Sequence, residues 1–343
     1  MSHDRRFVVS CSKDATIVKY DLEEGKKVGI IKYNKENDQS HKGHILAVAI
    51  SDQDRYLVTG GIDAVIRVWD FGTLKHVKNL TGHKNAVTGL AFRLGTQQLF
   101  SCSRDRSVKA WDLDQMGYVD TMFGHVDCVS DIDILSRERT LTCGSQDRSV
   151  RIWKVADESQ LVFNGFNSSV SIDCVAFINE DHFVSGSADG CLYVWTIFKK
   201  KPVYVQHDAH GIGDDKQPNW IVSVAACHYT DLVASGSCDG NIRFWKISDD
   251  YKTMTLLFSY KEKGFINCMR FSDNGEELVC AVGQEHKFGR WWQLREAKNR
   301  VIILALEYKQ QCKLDLELFV YNLLHARSPY KCFKYRMHTR WKK

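Results

Sequence analysis

The stretch that decides the fold is residues 99–112, which read Leu-Phe-Ser-Cys-Ser-Arg-Asp-Arg-Ser-Val-Lys-Ala-Trp-Asp. Two short runs with apolar and small residues flank a polar turn that contains Asp105. Alternation with a period of two is typical of β-strands, and a tight polar turn between two such runs predicts a hairpin. The second run ends at Trp111, six residues after the aspartate.

The same pattern recurs along most of the chain. An aspartate lies six residues before an aromatic residue in the pairs Asp14 and Tyr20, Asp63 and Trp69, Asp147 and Trp153, Asp189 and Trp195, and Asp239 and Trp245. The tryptophans from Trp69 to Trp195 follow one another at steps of 42 residues, and the next step, to Trp245, is 50. A regular period of this length predicts a β-propeller or a similar array of repeated units.

A seventh unit, from Phe271 to Trp292, departs from this pattern. It ends in Val-Gly-Gln-Glu-His-Lys-Phe-Gly-Arg-Trp-Trp, with Glu285 or His286 in place of the turn aspartate. We therefore expect an all-β fold, a seven-bladed propeller over residues 1–306, because each repeat supplies one blade. The third strands of the blades are expected to end near residues 20, 69, 111, 153, 195, 245 and 292.

The first blade is expected to be incomplete. Nothing before Arg5 could form its inner strand, so the first recognisable run corresponds to a second strand. A propeller closes by pairing strands of its first and last blades, and an open strand edge is unfavourable. We interpret the chain as N-terminally truncated, or as requiring another segment for closure.

Two regions interrupt the repeat. Residues 207–220, between the fifth and sixth blades, are rich in turn-forming residues and predict a long surface loop. Residues 307–343 match no repeat and form a basic C-terminal tail. For this tail three interpretations stay open: a short helix over Leu314–Ala326, RNA binding through the basic and aromatic segment Tyr330–Lys343, or a disordered terminus.

Composition excludes several classes of protein. With 26% charged and 44% apolar residues, the 343-residue chain has the balance of a folded soluble protein. Its longest apolar run, Val301–Leu306, is far shorter than the ~20 residues of a membrane helix, so no membrane partner is expected. The 12 cysteines include no Cys-x-x-Cys pair, which favours reduced thiols and indicates no metal site. No nucleophile–base pairing or phosphate loop indicates an enzyme, and no cofactor is expected.

Gly-His dipeptides precede several of the repeated hairpins. Gly43-His44, Gly82-His83 and Gly124-His125 each lie upstream of a tryptophan, with the histidine 25 to 28 residues before it. This arrangement, together with Trp-Asp at the end of the hairpin, resembles the WD40 family. The resemblance implies a hydrogen-bonded tetrad of His83, Ser101, Asp105 and Trp111, which is structural because a buried carboxylate is costly unless donors surround it.

The resemblance implies further tetrad members in the other blades. They are His44, Thr59, Asp63 and Trp69 in the second blade, His125, Asp147 and Trp153 in the fourth, Asp189 and Trp195 in the fifth, and Asp239 and Trp245 in the sixth. Departures from the family pattern predict weaker tetrads in some blades. These departures are Tyr20 in place of Trp, Cys143 at the Ser/Thr position, Phe166 at a histidine position, and no histidine near Gly264.

Five further stretches are not required by the tetrads: residues 89–100, 158–163, 231–237, 282–292 and 296–299. They closely resemble one branch of the WD40 family, the WD40 proteins of the U3 small nucleolar ribonucleoprotein. The resemblance implies a non-catalytic subunit of the nucleus and nucleolus that binds the box B/C region of U3 small nucleolar RNA beside a kink-turn-binding protein. It also implies other small-subunit processome proteins as partners, and a role in pre-ribosomal RNA processing and small ribosomal subunit biogenesis.

The net charge does not by itself predict RNA binding by the propeller. Residues 307–343 hold nine basic and three acidic side chains, so residues 1–306 hold 38 basic and 39 acidic ones. A neutral body must attract RNA through local basic groups. The turns after the second strands carry such groups, and the RNA-binding candidates are Lys13, Arg104, Arg106, Arg148, Lys287 and Arg290.

An alternative function is a protein-only scaffold, such as a ubiquitin-ligase substrate receptor. Receptors of that kind often carry an arginine two positions after the Trp-Asp pair. Here Trp69-Asp70 is followed by Phe71-Gly72, and Trp111-Asp112 by Leu113-Asp114. The sequence therefore favours the RNA-associated interpretation and leaves the scaffold as the alternative.

Overall fold

The computed structural model describes residues 1–35, 39–165, 170–213, 216–289 and 291–306, and the backbone of 318–324 and 331–335. The described chain forms seven antiparallel sheets arranged as the blades of a β-propeller, which confirms the predicted fold class. One short 3-10 turn, Asp52–Asp54, is the sole helical element of the described residues. None of these residues forms a helix long and apolar enough to cross a bilayer.

The first blade has three strands, as the sequence predicts: β1 (Phe7–Cys11), β2 (Ile17–Asp21) and β3 (Lys26–Ile31), in that order. The alignment of β1 with the strands that precede the turn aspartates makes it a second strand. An inner strand is therefore absent from this blade among the described residues.

The next five blades each contain four strands in chain order, inner to outer. Blade two has β4 (Ile45–Ile50), β5 (Tyr56–Gly61), β6 (Ile66–Asp70) and β7 (His76–Leu80); blade three has β8 (Val87–Phe92), β9 (Gln98–Ser103), β10 (Ser107–Asp112) and β11 (Gly117–Phe123). Blade four has β12 (Asp131–Ile134), β13 (Arg139–Cys143), β14 (Ser149–Lys154) and β15 (Ser159–Asn164). Blade five has β16 (Ile172–Asn179), β17 (His182–Ser187), β18 (Leu192–Thr196) and β19 (Tyr204–Gln206); blade six has β20 (Ile221–Ala226), β21 (Leu232–Ser237), β22 (Asn241–Ile247) and β23 (Met254–Lys261).

Blade seven differs from its expected boundaries. It has five strands: β24 (Phe265–Phe271), β25 (Glu277–Gly283), β26 (Arg300–Leu306), β27 (Leu318–Leu324) and β28 (Lys331–Tyr335). The third strand is thus β26, and the expectation that it ends near Trp292 is wrong. The aromatic-rich stretch before it belongs to the loop 284–299, and the strongly apolar run 301–306 supplies the strand.

The C-terminal tail contributes to the same sheet. β27 pairs with β26 along its full length, and β28 pairs with β27. Residues 318–324 are therefore a strand, which contradicts the short helix considered for Leu314–Ala326; the rest of that segment lies outside the described residues. The physical reason is that β26 would otherwise leave an unpaired backbone edge on an apolar strand, and pairing satisfies its amide and carbonyl groups.

The core lies between neighbouring blades. Trp111 of blade three packs with Val58 and Val68 of blade two, and Trp153 of blade four packs with Phe100 of blade three. Each of these indoles is at most 4% exposed. In blades one to six, a large flat side chain at the end of the third strand therefore joins its blade to the preceding one, and burial of such a side chain stabilises the fold by about 2–3 kcal/mol.

Blades one and seven close the ring through side chains. Val8 and Tyr20 of blade one share an apolar cluster with Val301 and Ile303 of blade seven. Tyr20 is 0% exposed, so the tyrosine fills the position that tryptophan occupies in other blades. Ion pairs add to this junction, including Arg5 with Glu276 at 2.7 Å.

Candidate nucleic-acid interface

One rim of the propeller is formed by the turns between second and third strands and by the connections that enter the inner strands. We call it the tetrad rim. In blade three, His83 Nδ1 lies 2.9 Å from Asp105 Oδ2, and His83 Nε2 lies 2.8 Å from Ser101 Oγ. Trp111 Nε1 donates to the same hydroxyl at 2.8 Å. The structure thus brings together the four residues that the family resemblance implied for this blade.

Blade four has a full tetrad, with Thr142 at the hydroxyl position. His125 lies 2.6 Å from Asp147 Oδ2 and 2.9 Å from Thr142 Oγ1, and Trp153 donates to Thr142 at 2.8 Å. The expectation that Cys143 occupies this position is wrong by one residue. Cys143 instead points to the other face of β13, where its sulfur is 3.1 Å from Ser130 Oγ. Successive strand residues alternate between faces, so a one-residue error exchanges the two environments.

In blade two the tetrad histidine is His41, which corrects the assignment of His44. His41 Nδ1 lies 3.0 Å from Asp63 Oδ1, and His41 Nε2 lies 2.8 Å from Thr59 Oγ1. Trp69 Nε1 donates to Thr59 at 2.9 Å. The sequence separation explains the correction: His41 precedes Asp63 by 22 residues, the same separation as His83 from Asp105. The Gly-His dipeptide that suggested His44 lies too close to the turn.

Blade six obtains its histidine from the segment expected to be only a surface loop. His210 Nδ1 lies 3.0 Å from Asp239 Oδ1, its Nε2 lies 2.8 Å from Ser235 Oγ, and Trp245 donates to Ser235 at 2.8 Å. His210 is 2% exposed. Sequence reasoning missed it because the insertion lengthens the separation between His210 and Asp239 to 29 residues.

Blade five is bonded differently. Trp195 donates to Ser185 Oγ at 2.9 Å, while Tyr193 donates its phenol hydrogen to Asp189 Oδ2 at 3.1 Å. The expected histidine position, Phe166, lies outside the described residues.

Among the described residues, no group of three His, Cys, Asp or Glu is arranged to hold a metal ion.

The tetrad aspartates are charged groups that the fold holds by hydrogen bonds. Burial raises the pKa of Asp147, but the hydrogen bond with His125 and the amide and hydroxyl of Ser149 outweigh burial, so its pKa lies below the ordinary value. Asp105 behaves in the same way, with His83 and Ser107 as its partners. These carboxylates are hydrogen-bonded within the fold. The neighbouring basic side chains are therefore the charged groups of this rim that can bind a ligand.

Arg106 and Arg148 occupy equivalent positions, immediately after the turn aspartates of blades three and four. Both have positive φ, 69° and 57° respectively. The equivalent positions in the other blades hold small residues: Ala15, Ala64, Gly190 and Gly240. A left-handed backbone strains any residue that carries a Cβ by about 1–2 kcal/mol, alanine and arginine alike, so this conformation does not select arginine. Both side chains are exposed and bond to no other described residue, which leaves their guanidinium groups available to a ligand.

Two further basic residues lie beside Asp105. Arg104 precedes it in the turn and is partly exposed, and Lys84 follows His83 in the connection that enters the blade. The backbone amide of Lys84 donates to Asp105 Oδ2 at 2.8 Å, which fixes Lys84 next to the turn, and its side chain is exposed. Lys84 lies outside the hairpin turns that the repeat pattern marks, so that pattern does not identify it. The residue immediately after each tetrad histidine was the signal that could have found it.

Lys13 and Lys287 are engaged inside the fold, contrary to their assignment as free RNA-binding groups. Lys13 Nζ pairs with Glu285 Oε2 at 3.0 Å and donates to His286 O at 3.0 Å. Lys287 Nζ reaches Asp173 O at 3.5 Å on the inner strand β16. Burial lowers the pKa of Lys287, but the carboxylates of Asp131 and Asp173 outweigh burial and raise it. Arg290 lies outside the described residues.

The opposite rim carries acidic residues in several of its turns. Its turns contain acidic pairs, whose members are Glu23 and Glu24, Asp157 and Glu158, Glu180 and Asp181, and Asp249 and Asp250. The basic turn Lys199–Lys201 lies on the same rim, and Lys26, Arg137 and Lys252 pair there with Glu24, Asp181 and Asp250. Closely spaced carboxylates repel a phosphate backbone, whereas unpaired guanidinium and ammonium groups attract it. The charge distribution therefore favours the tetrad rim as the surface for a polyanion.

Comparison with known proteins agrees with this architecture. The family model for the WD domain, G-beta repeat, matches residues 35–70, 74–112, 117–154, 158–196 and 206–246. Over 87% of this chain, the sequence is 52% identical to U3 small nucleolar RNA-interacting protein 2 of Mus musculus, and over 84% it is 29% identical to ribosomal RNA-processing protein 9 of Saccharomyces cerevisiae. The chain spans 64% of the length of each of these relatives. A solved structure of U3-55K is similar with a TM-score of 0.86 and 44% identity, over 89% of this chain and 94% of that one.

Proposed function

We propose a function from the premise that this chain belongs to the WD40-repeat family of U3 small nucleolar RNA-interacting proteins. The chain is a non-catalytic, RNA- and protein-binding subunit of the U3 small nucleolar ribonucleoprotein. It acts in pre-ribosomal RNA processing and in small ribosomal subunit biogenesis, in the nucleolus. The names of the mouse and yeast relatives support the particle and the pathway.

The tetrad rim of blades three and four is the surface that contacts RNA in this proposal. The observation that carries it is the pair Arg106 and Arg148, whose side chains are exposed and bond to no other described residue, at left-handed positions that other blades fill with Ala or Gly. Guanidinium groups bind phosphate bidentately and stack on bases. A rigid propeller holds two of them on adjacent blades, so both can bind one RNA segment without a large loss of conformational entropy.

The RNA partner in this proposal is the box B/C region of U3, bound together with a kink-turn-binding protein. The described propeller has no large excess of positive charge, so a partner already on the RNA would supply part of the contact surface. Other small-subunit processome proteins would bind the outer strands and the acidic rim. These assignments follow from the family resemblance and from the charge difference between the two rims.

The test is a titration of the assembled box B/C RNA and kink-turn-binding protein with wild type, Arg106→Glu and Arg148→Glu at two salt concentrations. Each variant should bind more weakly and with a smaller salt dependence, because fewer counterions are released for each lost phosphate contact. Lys200→Glu on the opposite rim is the matched control and should bind like wild type. Equal affinities for all four proteins would contradict the proposal and would favour the protein-only scaffold.

A further inference from the structure

The loop 284–299 of blade seven is held rigidly from several sides. Gln284 Nε2 donates to Ala297 O at 2.6 Å, and Asn267 Nδ2 donates to Glu285 O at 2.9 Å, both within the blade. Lys13 binds the loop from blade one, and Lys287 reaches from it to the inner strand of blade five. A loop of this length is normally mobile, whereas these contacts fix its backbone on the tetrad rim.

His286, in this loop, lies at the centre of an aromatic cluster. Its ring is 0% exposed and lies 4.3 Å from the ring of Trp220 and 5.3 Å from that of Phe288. The backbone amide of Phe288 donates to His286 Nδ1 at 3.2 Å, which leaves the hydrogen on Nε2. Burial, together with Lys287 and Lys13, lowers the pKa of His286 to about 3. The histidine is therefore a neutral aromatic plate at physiological pH.

Trp291 packs against the ring of His286 and extends into solvent. Its ring centroid is 5.8 Å from that of His286, and the residue is 66% exposed. A Cβ at Gly289 would lie only 1.9 Å from Trp291 Cζ3, so the indole rests directly on the glycine backbone. The ring is thus supported on one side and open on the other. An exposed indole held in this way loses little entropy when a second ring stacks on it.

Basic side chains accompany the exposed indole. Arg295 and Lys298 are exposed in the same loop. The loop joins the second and third strands of blade seven, so it lies on the same rim as Arg106 and Arg148. An exposed aromatic face and exposed cations in one rigid loop are a combination that binds single-stranded nucleic acid, because bases stack on the ring while the cations follow the phosphates.

We propose that Trp291 is a stacking platform for one unpaired base of the bound RNA. This inference rests on the proposed RNA-binding function and adds a specific contact to it. The ring interacts with the π-face of the base, so the contact tolerates different bases at that position. Gly289 is the positioning residue, because any side chain there would displace the indole from its support.

The first test compares Trp291→Ala, Trp291→Phe and Gly289→Ala in the titration with box B/C RNA and kink-turn-binding protein. Trp291→Ala should weaken binding on the order of tenfold. Trp291→Phe should restore part of the affinity, since it keeps an aromatic face, and Gly289→Ala should weaken binding although Trp291 is present. Phe198→Ala is the matched control, because Phe198 is an exposed aromatic, 75% exposed, on the opposite rim. Thermal unfolding of each variant checks that the fold is retained.

The second test places an abasic residue at each unpaired nucleotide of the RNA in turn. At one position, the abasic RNA should bind wild type more weakly than the intact RNA does. The same abasic RNA should bind Trp291→Ala as tightly as the intact RNA does, and that position identifies the stacked base. If Trp291→Ala binds like wild type while Arg106→Glu does not, the stacking inference is wrong and the proposed function stands. If Trp291→Ala weakens binding equally with every RNA, the ring contacts the partner protein, which also overturns stacking. If wild type binds no RNA assembly, both the function and this inference fail.

Discussion

The turn position after each tetrad aspartate holds a small residue in four blades and an arginine in blades three and four. Glycine at Gly190 and Gly240 suits a backbone with positive φ, whereas Ala15, Ala64, Arg106 and Arg148 all carry a Cβ and share the left-handed strain. The side chains of both arginines form no compensating bond with other described residues. Their guanidinium groups therefore belong to the surface of the rim and not to the packing of the fold.

Arg106→Gly should separate these two properties. The substitution removes the left-handed strain of about 1–2 kcal/mol, partly offset by the greater freedom of glycine in the unfolded chain, so the free energy of unfolding should stay the same or rise by up to about 1 kcal/mol. Binding to the RNA assembly should weaken in the same variant. Urea unfolding and RNA titration measure the two effects, and a clear loss of stability would mean that Arg106 has a role in the fold that its contacts do not reveal.

Acid should weaken the propeller through its tetrad aspartates. The pKa of Asp147 in the folded state lies below its ordinary value of 3.8. Between these two pKa values the unfolded chain binds more protons, so this contribution to stability is complete above about pH 4 and is lost as the pH falls through the folded-state pKa. Unfolding free energies from pH 5 to pH 2.5 should fall less steeply for Asp147→Asn than for wild type. Asp114→Asn, at a side chain that is 57% exposed, is the control and should keep the wild-type slope.

The tetrads also show which part of the site a sequence can predict. Where the histidine precedes its aspartate by 22 residues and follows a glycine, as in His83 and His125, the residues are found directly. His41 lacks the glycine but keeps the 22-residue separation from Asp63, whereas His210 has neither, because an insertion lengthens its separation from Asp239 to 29 residues. Only the packing of the loop onto the blade brings these rings to their carboxylates.

At the scale of elements, blade seven is where the sequence pattern is least informative. The two tryptophans at 291 and 292 match the pattern that predicts the end of a third strand. The third strand is instead β26, whose run Val301–Leu306 has no tryptophan. The loop 284–299 is ordered by contacts with blades one, five and six, and such long-range contacts leave no period in the sequence. The same holds for β27 and β28, which pair only because β26 offers them an edge.

Lys287 should stabilise this loop and should not act as a phosphate contact. Lys287→Met removes the cation that faces Asp131 and Asp173. Burial already disfavours the charged form of both carboxyl groups and raises their pKa values. We expect the unfolding free energy to fall by about 1–3 kcal/mol. Lys263→Met is the matched control, since Lys263 and Glu296 form an exposed pair whose contribution is small. An unchanged stability of Lys287→Met combined with weaker RNA binding would contradict this assignment.

At the scale of the whole molecule, the repeat period predicts the number of blades, whereas the partition of charge between rims becomes visible only in the folded chain. Residues 1–306 are close to neutral, yet the basic groups beside Asp105 and Asp147 lie on one rim and the acidic pairs lie mainly on the other. A neutral protein can bind RNA through basic side chains that lie together on one rim and pair with no carboxylate of the described residues. This partition is the central claim about function.

The most direct test of that claim is ultraviolet crosslinking of the assembled U3 ribonucleoprotein, followed by mass spectrometry of the crosslinked peptides. Crosslinks to U3 RNA should fall in the turns around Arg106 and Arg148 of blades three and four and in the loop 284–299 around Trp291. Peptides from the opposite rim, including the basic turn Lys199–Lys201, should carry none. Crosslinks concentrated on that opposite rim, with none on blades three, four and seven of the tetrad rim, would contradict the account.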